Sequence, residues 1–268
     1  MEATASIKEL LSLIFQGFKN VRLAQSFGED FKLHQSQLAI IQLRLSRWGQ
    51  AAGFASQTLE DDARSQDVNE AKGNPQGSAL KLNCDAIEGV LEKVISVLDK
   101  AKNEAQKWQP KDIPSDNETT DDLTPRRFKR LNDKIQKIII TRYHKAADQV
   151  EGLKWVLYKK EHCEAVTKQL LELITQLEEL VQPQTELEEL TKTDLAAIGE
   201  SLDTLMEVVG DCDPRLTVAA EQLLEDRAEL SNITMSAVTN NGIQMGVNRG
   251  TLSGLSFGTG NTITNNMK

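Results

Sequence analysis

The sequence predicts an all-α helical bundle over residues 1–230, followed over 231–268 by a flexible tail able to form a β-solenoid amyloid. Three observations carry that prediction. Apolar residues recur at three- and four-residue spacing in one segment after another. Aromatic residues are only 4% of a chain that is 39% hydrophobic. After about Asn232 charge almost disappears and glycine becomes periodic. A core of Leu, Ile, Val and Ala suits helices packed side by side better than a β-sandwich, which draws on aromatic and β-branched residues. The 268 residues are enough for one large helical domain or two small ones.

Between residues 5 and 27, Ile7, Leu10, Leu11, Ile14, Phe15, Phe18 and Val21 form one broad apolar stripe. Lys8, Glu9, Lys19 and Arg22 make this helix amphipathic and not membrane-spanning as written. Such a stripe serves equally for packing on its own domain or for binding a lipid surface. Residues 30 to 52 repeat the pattern with Leu38, Ile41, Leu45 and Trp48. Residues 60 to 78, with Gly73, Asn74, Pro75 and Gly77, read as a loop. Leu80, Cys84, Ile87, Leu91, Val94 and Leu98 return to helical spacing and put Cys84 on the apolar face as a small buried thiol.

Pro110, Pro114 and Pro125 surround an acidic run, Ser115-Asp116-Asn117-Glu118, and mark a second loop. One long helix is predicted over residues 126 to 160, through Ile139, Tyr143, Ala146, Val150, Leu153 and Leu157. The next carries Val166, Leu170, Leu173, Leu177 and Leu180 and stops near Pro183. Another passes through Leu195, Ile198, Leu202, Leu205 and Val209. Asp213-Pro214 has the form of an N-cap followed by proline at the first helical position, opening a helix with Leu216, Leu223, Leu224 and Ala228. No strand is predicted in this part.

Composition excludes several function classes. A net charge of −9 disfavours non-specific nucleic-acid binding, which depends on neutralising phosphates. Three scattered cysteines, Cys84, Cys163 and Cys212, suit reduced thiols in an intracellular protein. No apolar run approaches the ~18–20 residues of a membrane span, and the N-terminus lacks a secretory layout. A cytoplasmic protein is therefore expected. His162 and Cys163 are adjacent without a second pair at metal-ligand spacing, so no metal is expected. No phosphate-cradling loop occurs, so no nucleotide cofactor is expected. Acidic residues are scattered, no catalytic residues can be assigned, and the chain is not expected to be an enzyme. Arg126, Arg127, Lys129, Arg130, Lys134, Lys137, Arg142 and Lys145 make residues 126 to 145 basic, with Asp133 the only acid. Such a run reads first as a solvated helix face paired with acids elsewhere, and second as an attraction to anionic lipid.

The tail is a different polymer. Glycine recurs at Gly242, Gly246, Gly250, Gly254 and Gly258, which argues against helix. Ile243, Met245, Val247, Leu255, Phe257 and Ile263 occupy odd positions, while most even positions are small or polar. An extended strand would then be apolar on one face only. Alone it cannot bury that face; stacked on copies of itself it pairs every backbone group. The amyloid motif assigned from this pattern lies at about 240–266 and includes Asn241, Gly242, Gly246, Gly250 and Gly258. Ile243, Val247, Leu255 and Phe257 form its zipper face, and Gln244, Asn248 and Asn261 its polar ladders. The competing reading is a plain flexible Gly/Ser/Asn tail; the apolar alternation favours the stacked strand.

Two blocks carry a resemblance. Leu43-Arg44-Leu45-Ser46-Arg47-Trp48-Gly49 follows the turn Phe27-Gly28-Glu29-Asp30-Phe31. Arg127-Phe128-Lys129-Arg130-Leu131-Asn132-Asp133 and Trp155-Val156-Leu157-Tyr158 form the second. They resemble the HeLo domain of the fungal HET-s/HET-S heterokaryon-incompatibility family, over roughly residues 10 to 225. The resemblance implies a helical cell-death domain that permeabilises membranes. A C-terminal β-solenoid amyloid motif would activate it, templated by a nucleotide-binding, oligomerising receptor with a matching motif. It further implies self-association through the tail, and a membrane lipid as partner once activated. The membrane-targeting helix would present Leu10, Leu11, Ile14, Phe15 and Phe18. Killing members of the family usually begin with a longer, glycine-containing apolar segment. The N-terminal sequence here is shorter and charged, which points to surface binding by an amphipathic helix. The rival expectation is a cytosolic helical interaction or scaffold protein with no membrane activity.

Overall fold

In the computed structural model, residues 2–19, 21–23, 30–55, 75–107, 125–143, 155–157 and 160–231 are described. The amyloid motif at 240–266 lies outside them. The elements are α1 (Glu2–Lys19), β1 (Val21–Leu23), α2 (Asp30–Ala51), α3 (Pro75–Lys107), α4 (Arg126–Arg142), β2 (Trp155–Leu157) and α5 (Lys160–Leu180). Then come α6 (Gln184–Ile198), a 3-10 turn (Gly199–Ser201), α7 (Leu202–Val208), a second 3-10 turn (Gly210–Cys212) and α8 (Pro214–Ser231). The chain divides into two compact units, Met1–Glu221 and Gln222–Lys268. The first holds the bundle; the described part of the second is the end of α8.

The organising element is α2. It packs against α4, α5 and α6, and every residue from Leu38 to Gly49 is buried. A helix buried on all sides is usually apolar all round, yet this one carries Gln42, Arg44, Ser46 and Arg47 into the interior. Around it, α1 packs mainly on α3, α3 on α5, and α4 on α6. Leu, Ile, Val and Ala dominate the core, with Trp48 against Phe54 at a ring separation of 5.9 Å.

Several sequence expectations are corrected. The helix predicted over 126 to 160 ends at Arg142, and Trp155–Leu157 forms β2, which pairs in parallel with β1 in the register Val21↔Trp155 and Leu23↔Leu157. Both segments are rich in β-branched, aromatic or aliphatic residues, and each needed a partner far along the chain to become a strand. Val21, counted in the first stripe, belongs to β1 for the same reason. The loop expected to run to residue 78 gives way to α3 at Pro75, a residue that suits the first turn of a helix. The helix expected through Leu195 and Val209 is interrupted after Ile198, where Gly199 turns to φ +51°. That left-handed conformation ends α6 and re-aims the chain into α7. Cys84, expected buried, is half-buried. Among the described residues, no helix is long and apolar enough to cross a membrane.

Cys163 and Cys212 are buried, and burial pushes each thiol up to about 11 from 9.0. The unfolded chain loses these protons first, so the native state loses stability as pH rises from 9 toward 11. Urea midpoints for the wild type should fall over that interval, and fall less in a Cys163→Ala/Cys212→Ala chain.

Candidate functional site

Helix α1 is seated by its apolar stripe. Ile7, Leu11, Ile14, Phe15 and Phe18 are all buried, Leu10 is half-buried, and Lys8, Glu9 and Lys19 are exposed. The structure therefore brings four of the five sequence-assigned targeting residues into the core and leaves Leu10 at its edge. Leu13, on the outer side, is 49% exposed. Phe15 lies on Tyr143, just past α4, with ring centroids 4.6 Å apart. Two glycines make this approach close. A methyl group at Gly17 would come within 3.1 Å of Leu98 Cδ1 on α3. One at Gly49 would overlap Tyr143 Oη and lie 3.3 Å from Leu11 Cδ1. Burial raises the Tyr143 phenol well above its ordinary range, and its hydroxyl has no hydrogen-bond partner among the described residues.

Two residues before Gly49 begins a buried ionic network. Arg47 Nε donates to Asp194 Oδ2 on α6, and its Nη1 to Asp213 Oδ2, both at 2.8 Å. Arg142, at the end of α4, pairs with the other oxygen of Asp194. It also donates to Ser46 Oγ at 3.0 Å and to Gln50 Oε1 at 2.5 Å. Arg44 grips Glu178 of α5 with two donors, at 3.0 and 2.8 Å, and reaches the Cys212 carbonyl at 3.2 Å. Burial opposes the charge on Arg47, but Asp213 and Asp194 outweigh it and hold its pKa raised. For Arg142, which shares Asp194 with Arg47, burial prevails and the pKa is lowered. The Asp213-Pro214 cap read from sequence is present: Asp213 Oδ1 accepts from the Leu216 amide at 3.1 Å. One carboxylate thus starts α8 and neutralises α2.

The sequence missed this network's pairings, although Arg44 and Arg47 stood in the block that carried the resemblance. Arg142 was legible only as part of a basic run. That run is paired in part, through Arg142 with Asp194 and Arg127 with Glu207, the latter at 2.6 Å. His162 and Cys163 do not form a reactive pair: Cys163 is buried, and His162 Nδ1 faces Glu104 at 3.5 Å. Among the described residues, no group of His, Cys, Asp and Glu is placed to hold a metal ion. A cleft of about 770 Å³ between α2 and α5 is lined by His34, Arg44, Lys168, Glu172, Glu179 and Asp211, a mixture of both charges with Arg44 already committed to Glu178.

Fold and site define a helical bundle with a largely buried, charge-bearing central helix and a seated amphipathic N-terminal helix. The HeLo family, described as prion-inhibition and propagation, matches residues 3–208, and the chain belongs to that family. Heterokaryon incompatibility protein S of Podospora anserina (strain S) is 20% identical over 210 residues, covering 78% of this chain and 68% of its own. Heterokaryon incompatibility protein s of Podospora anserina is 21% identical over 246 residues, covering 85% and 80%. The solved HET-S N-terminal domain superposes with a TM-score of 0.64 at 20% identity, over 82% of this chain and 94% of that one. A doubly mutated HET-s N-terminal domain gives the same score and covers 98% of its own chain. These likenesses establish a shared fold.

Substitutions at two positions, Gly49 and Asp213, test the site. In a helix interior Gly→Ala normally stabilises by up to about 1 kcal/mol, but Gly49→Ala should destabilise, because Tyr143 Oη occupies the methyl's place. Tyr143→Phe removes that oxygen and leaves the ring carbon 3.4 Å away. The double variant should therefore recover most of the loss in thermal unfolding; no recovery would mean the clash lies elsewhere. Asp213→Asn keeps a capping side chain and loses the charge facing Arg47, and should cost about 3 kcal/mol in urea unfolding. Asp213→Ala should cost about 1 kcal/mol more through loss of the cap.

Proposed function

We propose that this protein is a non-enzymatic cell-death executioner of the heterokaryon-incompatibility type. It rests as a cytoplasmic bundle and is activated when its C-terminal motif is templated into amyloid. Copies gathered by the tails then release α1 to a membrane and permeabilise it. The template would be a nucleotide-binding, oligomerising receptor with a matching motif. The observation that carries this reading is the state of α1 in the bundle. Five of its large apolar side chains, Ile7, Leu11, Ile14, Phe15 and Phe18, are stored inward while Lys8, Glu9 and Lys19 are exposed. A helix so divided can exchange a protein core for the headgroup–acyl boundary with its polar face outward throughout. The names of the curated relatives and the periodic tail support the same reading. One observation favours a rival: the α1 stripe is satisfied within its own domain, as in a scaffold protein whose tail is merely flexible.

Dye release from liposomes separates them. Full-length protein alone should cause little leakage; adding fibrils grown from a peptide of residues 236–268 should start it. Leu10→Glu/Leu13→Glu changes half-buried and exposed positions, so the fold should persist by circular dichroism. Leakage should nevertheless fall about ten-fold or more, since each leucine is worth roughly 1.5–3 kcal/mol when buried. A peptide that never assembles, together with an absence of leakage, would overturn the executioner in favour of the scaffold.

A further inference from the structure

Helix α4 carries a surface that neither the ionic network nor the seat of α1 uses. Arg126, Arg130, Asp133, Lys137 and Ile140 follow one another at four- and three-residue steps, and all are exposed. They form one stripe along the helix. Lys129 flanks it, also exposed. Asp133 is the stripe's sole acid, so the three basic residues of the stripe, Arg126, Arg130 and Lys137, are exposed beside one carboxylate, on a chain whose net charge is −9. The acids of α7 meet α4 on its other flank, where Arg127 bonds Glu207 at 2.6 Å. There too Lys134 Nζ is tied to the Ile198 carbonyl at 2.6 Å. The stripe ends on Ile140, an apolar side chain that is 47% exposed.

We infer that this face of α4 docks the folded bundle on an anionic lipid surface, before α1 is released. The inference rests on the membrane reading above and deepens it by naming the lipid class and the residues that meet it. Charge complementarity selects the occupant. Basic side chains near an anionic membrane gain attraction individually and need no fixed partner geometry, because lipid headgroups move to meet them. A polynucleotide would offer nothing to Ile140, the exposed apolar end of the stripe. A bilayer interface accepts a short apolar tip beside cations. Since the stripe is exposed in the folded bundle, docking requires no unfolding and would concentrate the resting protein where α1 must act.

The test is co-sedimentation of the unseeded full chain with phosphatidylcholine vesicles, with and without phosphatidylserine. The wild type should bind only the anionic vesicles, and more weakly as salt rises. Arg126→Gln/Arg130→Gln/Lys137→Gln should weaken binding about a hundred-fold, from about five-fold per basic residue. Arg126→Lys/Arg130→Lys should retain it. A matched control, Lys93→Gln/Lys100→Gln/Lys107→Gln, removes equal charge from an exposed face of α3 that also bears Glu92, Asp99 and Glu104. Equal loss in the control and the α4 variant would overturn the inference, as would binding of a DNA duplex as tight as that of the vesicles. Wild type that releases dye after seeding yet never binds anionic vesicles unseeded would overturn the docking face alone. Absence of both binding and seeded leakage would bring down the membrane reading with it.

Discussion

A guanidinium in the last turns of α2, within a stretch buried on every side, sets the terms for the rest of this bundle. Arg47 is 1% exposed and the two carboxylates that face it come from different elements, Asp194 from α6 and Asp213 from the start of α8. Arg142 brings α4 into the same balance through Asp194, and Arg44 adds α5 through Glu178. Arg47 and Arg142 are thus matched by Asp194 and Asp213, and Arg44 by Glu178. An apolar set of similar volume could be as stable or more so, because desolvating charges costs several kcal/mol each. What the ionic version imposes is register. A shift of α4, α6 or the first turn of α8 along α2 leaves a charge buried without its partner, a loss on the order of 3–5 kcal/mol.

The seat of α1 shares residues with that balance. Gly49 lies two positions beyond Arg47 on α2, and Tyr143 directly follows Arg142. Both touch the first helix, Gly49 by making room for Leu11 and Tyr143 through a tilted ring contact with Phe15. Rigid placement of α2 and α4 is what shapes this surface, so the apolar fit of α1 depends on the ionic arrangement that fixes those two helices. The cost of undocking is large, since each buried side chain of the stripe is worth roughly 1.5–3 kcal/mol. Water cannot meet that cost, but another apolar phase can. The stripe therefore holds α1 firmly to the bundle in water.

Local chemistry was readable from sequence, and distant pairing was not. The helical stripes, the stop near Pro183 and the Asp213-Pro214 cap all depend on neighbours within a turn or two, and all are present. The run from 126 to 160 failed as a single helix because Trp155–Leu157 pairs with Val21–Leu23, a choice made by a partner far away in the chain. Gly199 looked ordinary within a periodic stretch, yet its positive φ divides α6 from α7. The Leu43 to Gly49 block was legible as a landmark, but not its reason. Its charged and hydroxyl side chains each have a partner, Arg44 in half-buried Glu178, Ser46 in Arg142 and Arg47 in two buried aspartates, while Gly49 leaves room for α1 to pass. Asp194 could not be found in advance, since nothing in its own segment separates it from the many acids on exposed faces.

Asp213 shows how closely the ends of the bundle are joined. Its two oxygens serve different masters, Oδ1 the Leu216 amide and Oδ2 the Arg47 guanidinium. Rotating the carboxylate to improve either bond spoils the other, so the first turn of α8 and the C-terminal turns of α2 hold one relative position. The chain beyond α8 leads directly into the glycine-periodic tail. Any force that displaces the first turn of α8 removes one of the two carboxylates from Arg47, at the core position from which Gly49 and Tyr143 frame the seat of α1. A bundle held by apolar packing alone would absorb such a displacement by sliding. Here the displaced state carries an underpaired charge in a dry interior, and the cheapest relief is to let water in. Displacing the first turn of α8 is therefore an all-or-none event for this network and not a gradual slide.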